Sequence, residues 1–233
     1  SAATSGNLQK TGSGALTLTG TYAHTGTTTV SAGTLNGTGT LSSQLVVQSG
    51  ATYSAGTDAD GTNNNGVGKM SIASGDWQSG ANFVFDFGQT STGVAGDNGT
   101  NWDLIQITGA GGLTLGAAAG IYTLNVTSWD LTAGVPGANT GANNFNKDAA
   151  ATITPDEPSP WPASYRWLWV DNTGGGTINV SDGVLDQFNV VASPGVFAPG
   201  PYGTPNITGG HFWVSSFNND LYINYSAVPE PGS

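Results

Sequence analysis

Asp76, Asp86 and Asp103 fall in or beside stretches of alternating apolar residues, and Asp171, Asp182 and Asp186 cluster later in the chain. Two carboxylates held several ångströms apart across a groove are what glycoside hydrolysis requires, so these acids raise a polysaccharide-active enzyme as one reading. Many of the chain's aspartates adjoin Gly or Asn, however, which is the chemistry of turns. The two glutamates, Glu157 and Glu230, both stand in Pro-rich segments. A lyase acting on polyanions needs a basic groove, and 4 Lys and Arg residues do not supply one. Nucleophilic catalysis has little to draw on: there is no cysteine and no Gly-x-Ser-x-Gly elbow. His24 and His211 are the two imidazoles, the first in a Gly-rich corner and the second opening an aromatic strand. The residue pattern therefore predicts no catalytic set.

Asp58, Asp60, Asn63 and Asn65 alternate around Gly61, the spacing that a calcium loop uses. The twelfth position of an EF-hand would fall on Lys69 and no helices flank the loop, so this is not an EF-hand; a solvated turn and a calcium loop both fit the residues. Gly96-Asp97-Asn98-Gly99 is a second loop of the same kind. Carbohydrate binding needs exposed aromatic platforms. Trp161, inside a Pro-rich run, is the candidate glycan contact, whereas Trp167 and Trp169 share one face of a strand and read as core.

The elements that would position these residues are short strands. Charged residues make up 8% of the chain and Gly supplies 37 positions, with Thr, Ser and Asn filling much of the rest, a mixture that disfavours long helices. Hydrophobic residues reach 37%, enough to bury a core rather than leave the chain disordered. The net charge of −11 argues against nucleic acid and anionic membrane surfaces as partners. No run of apolar residues is long enough for a transmembrane helix. A chain without thiols suits an exposed, oxidising compartment, and Ser1-Ala2-Ala3 reads as a start left by cleavage of a leader.

From Leu8 to Leu35 the apolar residues Leu16, Leu18, Val30 and Leu35 alternate with Thr and Ser between glycine corners. That is the period of a half-buried strand, and strand, corner, strand is the unit of a solenoid coil. The stretch resembles the autotransporter-associated β-strand repeat. The likeness is carried by Leu8, Lys10, Gly12, Gly14, Leu16 and Leu18, then Thr25 to Val30, then Ala32-Gly33-Thr34-Leu35. His24, between Tyr22 and Thr25, displaces the aromatic from the usual spacing. A Phe83-x-Phe85-x-Phe87 strand, a polar loop, Trp102 to Gly109, Leu113-Thr114-Leu115 and Ile121 to Val126 resemble the usual continuation of such exported proteins.

Regularity stops between residues 132 and 162, where five prolines mark an excursion from the wall, and strands resume from Tyr165 to Tyr225. Val228-Pro229-Glu230-Pro231, directly after the Leu221-x-Ile223-x-Tyr225 strand, is similar to the start of a PEP-CTERM sorting tail. That resemblance implies an exosortase-type processing enzyme.

The expected fold is all-β: a single-stranded β-solenoid, or parallel β-helix, right-handed, with long loop insertions. One domain spans 1–225, with repeat-like coils at 8–56, further coils at 68–128, an irregular insertion at 132–162 and terminal strands at 165–225; residues 226–233 are the remnant of the sorting tail. The expected function is that of a non-enzymatic structural protein, exported to a bacterial surface, matrix or filament. Its partners would be further copies, stacked end to end through open solenoid ends, and an exopolysaccharide. A carbohydrate-binding module and a polysaccharide-active enzyme are the alternatives, and no cofactor other than calcium is expected.

Overall fold

The computed structural model describes residues 5–57, 66–88, 102–116, 121–130, 135–136, 165–181, 183–192 and 211–226. These form strands and no helix. In order the strands are β1 (Leu8–Lys10), β2 (Ala15–Leu18), β3 (Thr21–Tyr22), β4 (Thr27–Val30), β5 (Thr34–Gly37) and β6 (Thr40–Val47). There follow β7 (Thr52–Ala55), β8 (Lys69–Trp77), β9 (Asn82–Gly88), β10 (Leu104–Ile107), β11 (Leu113–Leu115) and β12 (Tyr122–Asp130). The last are β13 (Val135–Pro136), β14 (Tyr165–Asn172), β15 (Gly183–Val184), β16 (Phe188–Ala192), β17 (His211–Phe217) and β18 (Asp220–Ser226).

Two sheets hold them. The larger runs β1-β4-β6-β8-β10-β14-β18-β17-β15, with β3 on β6 and β11 on β8; the smaller runs β13-β12-β9-β7-β5-β2, with β16 on β12. The chain passes from the larger sheet to the smaller and back, and each pass lands parallel on the one before it. The topology is compatible with a β-solenoid: parallel neighbours joined by crossovers, each side chain stacked over its counterpart one strand spacing away.

Register explains why alternation in the sequence becomes a core. Leu16, Leu35, Tyr53, Phe83, Leu124 and Val190 are successive partners along the smaller sheet. Lys10, Val30, Val47, Trp77 and Leu115 are successive partners along the larger one. A one-residue slip in any strand would turn its apolar set to solvent, so burial locks the register. The rungs grow heavier toward the C-terminal half. Trp77 lies 4.2 Å from Phe83 and 5.4 Å from Trp169, ring centre to ring centre, and Trp169 meets Phe188 edge-on at 5.6 Å. Trp167 stacks on Phe87 at 5.4 Å. Trp167 and Trp169 are both fully buried, as their alternation predicts.

The winding changes at its C-terminal end. β14 takes β10 as a parallel neighbour on one side, but its other neighbour, β18, is antiparallel, and β17 turns straight into β18 as a hairpin. The turn is Asn218-Asn219, both with positive φ (51° and 66°), the two-residue geometry that matches strand twist. The terminal strands expected at 165–225 are thus not all further parallel rungs. Apolar alternation alone marks strands at Lys69–Ile72, Gly176–Val180 and His211–Val214; in the fold the first runs on to Trp77 and the last to Phe217, while the middle one is a single bridge between Ile178 and Leu113.

Candidate functional site

Three groups of polar residues stand where the fold could use them: the buried carboxylates, the N-terminal edge, and an outward row on the larger sheet.

Asp86 and Asp103 come together, and both are buried. Asp103 Oδ1 accepts the backbone N–H of Gly68 at 2.8 Å, and its Oδ2 accepts that of Asp86 at 3.0 Å. The N–H of Asp103 in turn donates to the Asp86 carbonyl at 2.9 Å. A carboxylate without exposed surface, committed to two backbone donors, pins the corner before β10 to the corner before β8 and has no access to a substrate. The phenol of Tyr53 is fully buried nearby and makes no hydrogen bond among the described residues; burial first, and the Asp103 charge second, push its pKa above the ordinary phenol value.

The other acids read from the sequence are not brought to Asp86 and Asp103. Asp76 stands opposite Val46 and Thr114 on the larger sheet, and Asp186 is exposed in the turn before β16. Asp171 ends an outward row, near Asp220. Asp220 Oδ1 accepts the N–H of Asn172 at 2.8 Å; burial raises its pKa most, that bond opposes the rise, and the Asp171 charge adds to it. Among the described residues no three His, Asp or Glu side chains converge as a metal site. The calcium-loop residues Asp58, Asp60, Asn63 and Asn65, the loop at 96–99, Asp182, Trp161 and the tail Val228, Pro229, Glu230 and Pro231 lie outside the described residues. His24 joins its ring Nε2 to the Thr28 hydroxyl at 2.8 Å, holding the corner between β3 and β4.

The N-terminal edge carries an inward lysine. Lys10 occupies the row that Val30, Val47 and Trp77 fill in later coils, and it is buried. Its ammonium donates to three carbonyls, Gly12 at 2.7 Å, Ala32 at 2.9 Å and Thr11 at 3.0 Å. It closes the corner of the first coil and ties it to the second. Among the described residues β1 pairs with β4 alone and β2 with β5 alone. The Lys10 carbonyl receives the Ser31 N–H at 2.9 Å, so in a parallel ladder the alternate residue Gln9 turns its own N–H and C=O to the open side. Among the described residues no further strand lies on this edge, the arrangement expected of an open solenoid end.

Outward from the larger sheet, Thr21, Thr40, Ser71, Gln106 and Asp171 are successive partners on five rungs. Ser71 donates to Gln106 Oε1 at 3.4 Å, and Gln106 Nε2 donates to Asp171 Oδ2 at 3.2 Å. Beside the middle of this row lies an open groove of about 470 Å³ lined by Thr38, Gly39, Thr40, Val67, Gly68, Lys69 and Ser71.

A family model described as the passenger-associated-transport-repeat matches residues 8–36. The matched span runs from the start of β1 into β5, and within it Lys10 and the stacked Leu16 and Leu35 have the places just described. It coincides with the stretch whose residues resemble the autotransporter-associated repeat. No curated protein and no solved structure matches the chain.

Proposed function

We propose that this chain is a non-enzymatic structural protein of a bacterial surface, matrix or filament, and that copies associate end to end through the edge formed by β1 and β2. The observation that carries the reading is the asymmetry of the larger sheet. At one end, β1 leaves Gln9's backbone groups unpaired among the described residues; at the other, the parallel ladder passes into the antiparallel strands β18, β17 and β15. An unpaired edge is a template for another strand, and at the far end of the larger sheet the edge strand among the described residues is the two-residue β15, on β17. The acids support the same reading, since Asp86 and Asp103 are buried and the Asp103 carboxylate is committed to the backbone N–H groups of Gly68 and Asp86.

In this proposal the two sheets wind as a right-handed parallel β-helix, the hand that crossovers between parallel strands adopt. Export is supported by the repeat at 8–36, whose family is described by passenger transport. Residues Val228–Pro231 act as a sorting signal read by an exosortase-type enzyme, and the loop holding Asp58, Asp60, Asn63 and Asn65 is a solvated turn or a weak calcium loop.

Negative-stain electron microscopy tests the assembly. The expected result is ordered end-to-end particles that disappear in Gln9→Pro, which removes a donor from the open side of β1 without touching the core. Particles unaffected by that change would reject the β1–β2 edge as the contact.

A further inference from the structure

The geometry points to a binding groove for an extended, uncharged polysaccharide on the outward face of the larger sheet, running along the row Thr40, Ser71, Gln106 and Asp171. This goes beyond self-association and uses a different surface.

Three observations converge on the ligand class. The groove's volume of about 470 Å³ falls within the range of small-molecule sites, roughly 300–1,000 Å³, and it is open rather than enclosed. Its side chains are those that recognise sugar hydroxyls: the hydroxyls of Thr38, Thr40 and Ser71 and the ammonium of Lys69. The row continues past the groove through an amide to a carboxylate, so donors and acceptors recur at the strand spacing of about 4.8 Å. An extended glycan also presents its hydroxyls ring by ring, and a chain laid along the stack meets one polar side chain on each rung.

Charge selects among glycans. Lys69 is the exposed cation among the described residues, because Lys10 and Arg166 are buried. The same row ends on Asp171, and the whole chain carries −11. A polyuronate would gain one contact with Lys69 and be repelled where the row ends on Asp171 and by the net charge of −11, whereas an uncharged glycan is not repelled. The described lining holds no aromatic platform, so binding rests on hydrogen bonds repeated over several rungs and weakens sharply for short oligosaccharides.

The test is retention of the full chain on immobilised cellulose, xylan, mixed-linkage β-glucan and starch, with polygalacturonate as the charged comparison. The expected result is retention on at least one uncharged glycan that survives high salt. It should fall about tenfold in Ser71→Tyr, which fills the groove from the outward face, and measurably in Gln106→Ala. Unchanged circular dichroism and melting show that each variant is folded. No retention on any uncharged glycan overturns the proposal, as does retention unaffected by both variants. Binding to polygalacturonate alone, abolished by salt, overturns it in favour of an anion contact at Lys69.

Discussion

Asp103 and Asp86 hold each other by two hydrogen bonds of opposite sense, carboxylate to N–H at 3.0 Å and N–H to carbonyl at 2.9 Å. Asp86 stands near the end of β9 and Asp103 just before β10, and the second carboxylate oxygen of Asp103 reaches the Gly68 corner. In a sequence they are two acids beside strands, candidates for catalysis; in the fold they are a bracket between coils.

Lys10→Met keeps the aliphatic stem in its buried row and removes the ammonium. The carbonyls of Thr11, Gly12 and Ala32 each lose a donor. The expected cost is about 2–3 kcal/mol in urea unfolding, less than the sum of three charged bonds because water reaches the end of the first coil. A cost below the error of the measurement would mean that Lys10 does not hold the corner.

Gly37 and Gly50 both have positive φ, 149° and 78°, but their surroundings differ. A methyl group on Gly37 runs into the backbone of Leu18 on the neighbouring coil, whereas one on Gly50 meets nothing within 4 Å. Gly37→Ala is therefore expected to cost about 3 kcal/mol or more, since the stack has to open. Gly50→Ala should cost about 1 kcal/mol, the penalty of a left-handed residue alone. Comparing their melting temperatures checks the ordering.

Tyr53 buries a hydroxyl that has no hydrogen-bond partner among the described residues. Tyr53→Phe is expected to leave stability at neutral pH unchanged or raise it by about 1 kcal/mol. The pH dependence has a definite sign. A phenol whose folded pKa is raised contributes stability fully present below the unfolded value of about 10 and lost as pH rises above it, because unfolding then releases the proton. Wild type should lose stability above that pH more steeply than Tyr53→Phe, read by denaturant midpoints from pH 8 to 11.

Asp220 gives the acid-side counterpart. Its raised pKa means that its contribution is present below the ordinary carboxylate range and lost as pH rises through the folded value. Asp220→Asn keeps an oxygen to accept the Asn172 N–H and removes the repulsion from Asp171. At pH 7 it should stabilise by about half a kcal/mol, a small figure because the carboxyl is partly solvent-screened. The gain should vanish on acidification below the ordinary carboxylate range. A gain that persists there would point to a different cause.

Much of the winding is legible because alternation and glycine corners are local. Leu16, Leu18, Val30 and Leu35 mark their strands by period alone, and the stacking of Leu16 on Leu35 follows once the strands are known to be parallel. The second half of β8, Ala73-Ser74-Gly75-Asp76-Trp77, is not legible. Its inward position at Gly75 carries no side chain, the space there being filled by Leu113 from the next rung. The repeated Gln-Ser-Gly-Ala at 48–51 and 78–81 would have found it, since each copy closes the same corner with an Ala N–H to Gln carbonyl bond. Strand direction at the C-terminal end is hidden for another reason. Leu221-x-Ile223-x-Tyr225 alternates identically in parallel and antiparallel sheets, and Asn218-Asn219 is the only local sign of the hairpin. The candidate site is the least legible part. Thr40, Ser71, Gln106 and Asp171 stand 31, 35 and 65 residues apart along the chain and become neighbours only through register.

Sedimentation velocity across a concentration series, wild type beside Gln9→Pro, bears most directly on the claim that this wall is built to be joined at its β1–β2 edge. The account predicts species heavier than the 23.4 kDa chain that grow with concentration, and a variant that stays at the mass of one chain while melting at the wild-type temperature. A wild-type protein that sediments as a single 23.4 kDa species at every concentration contradicts it.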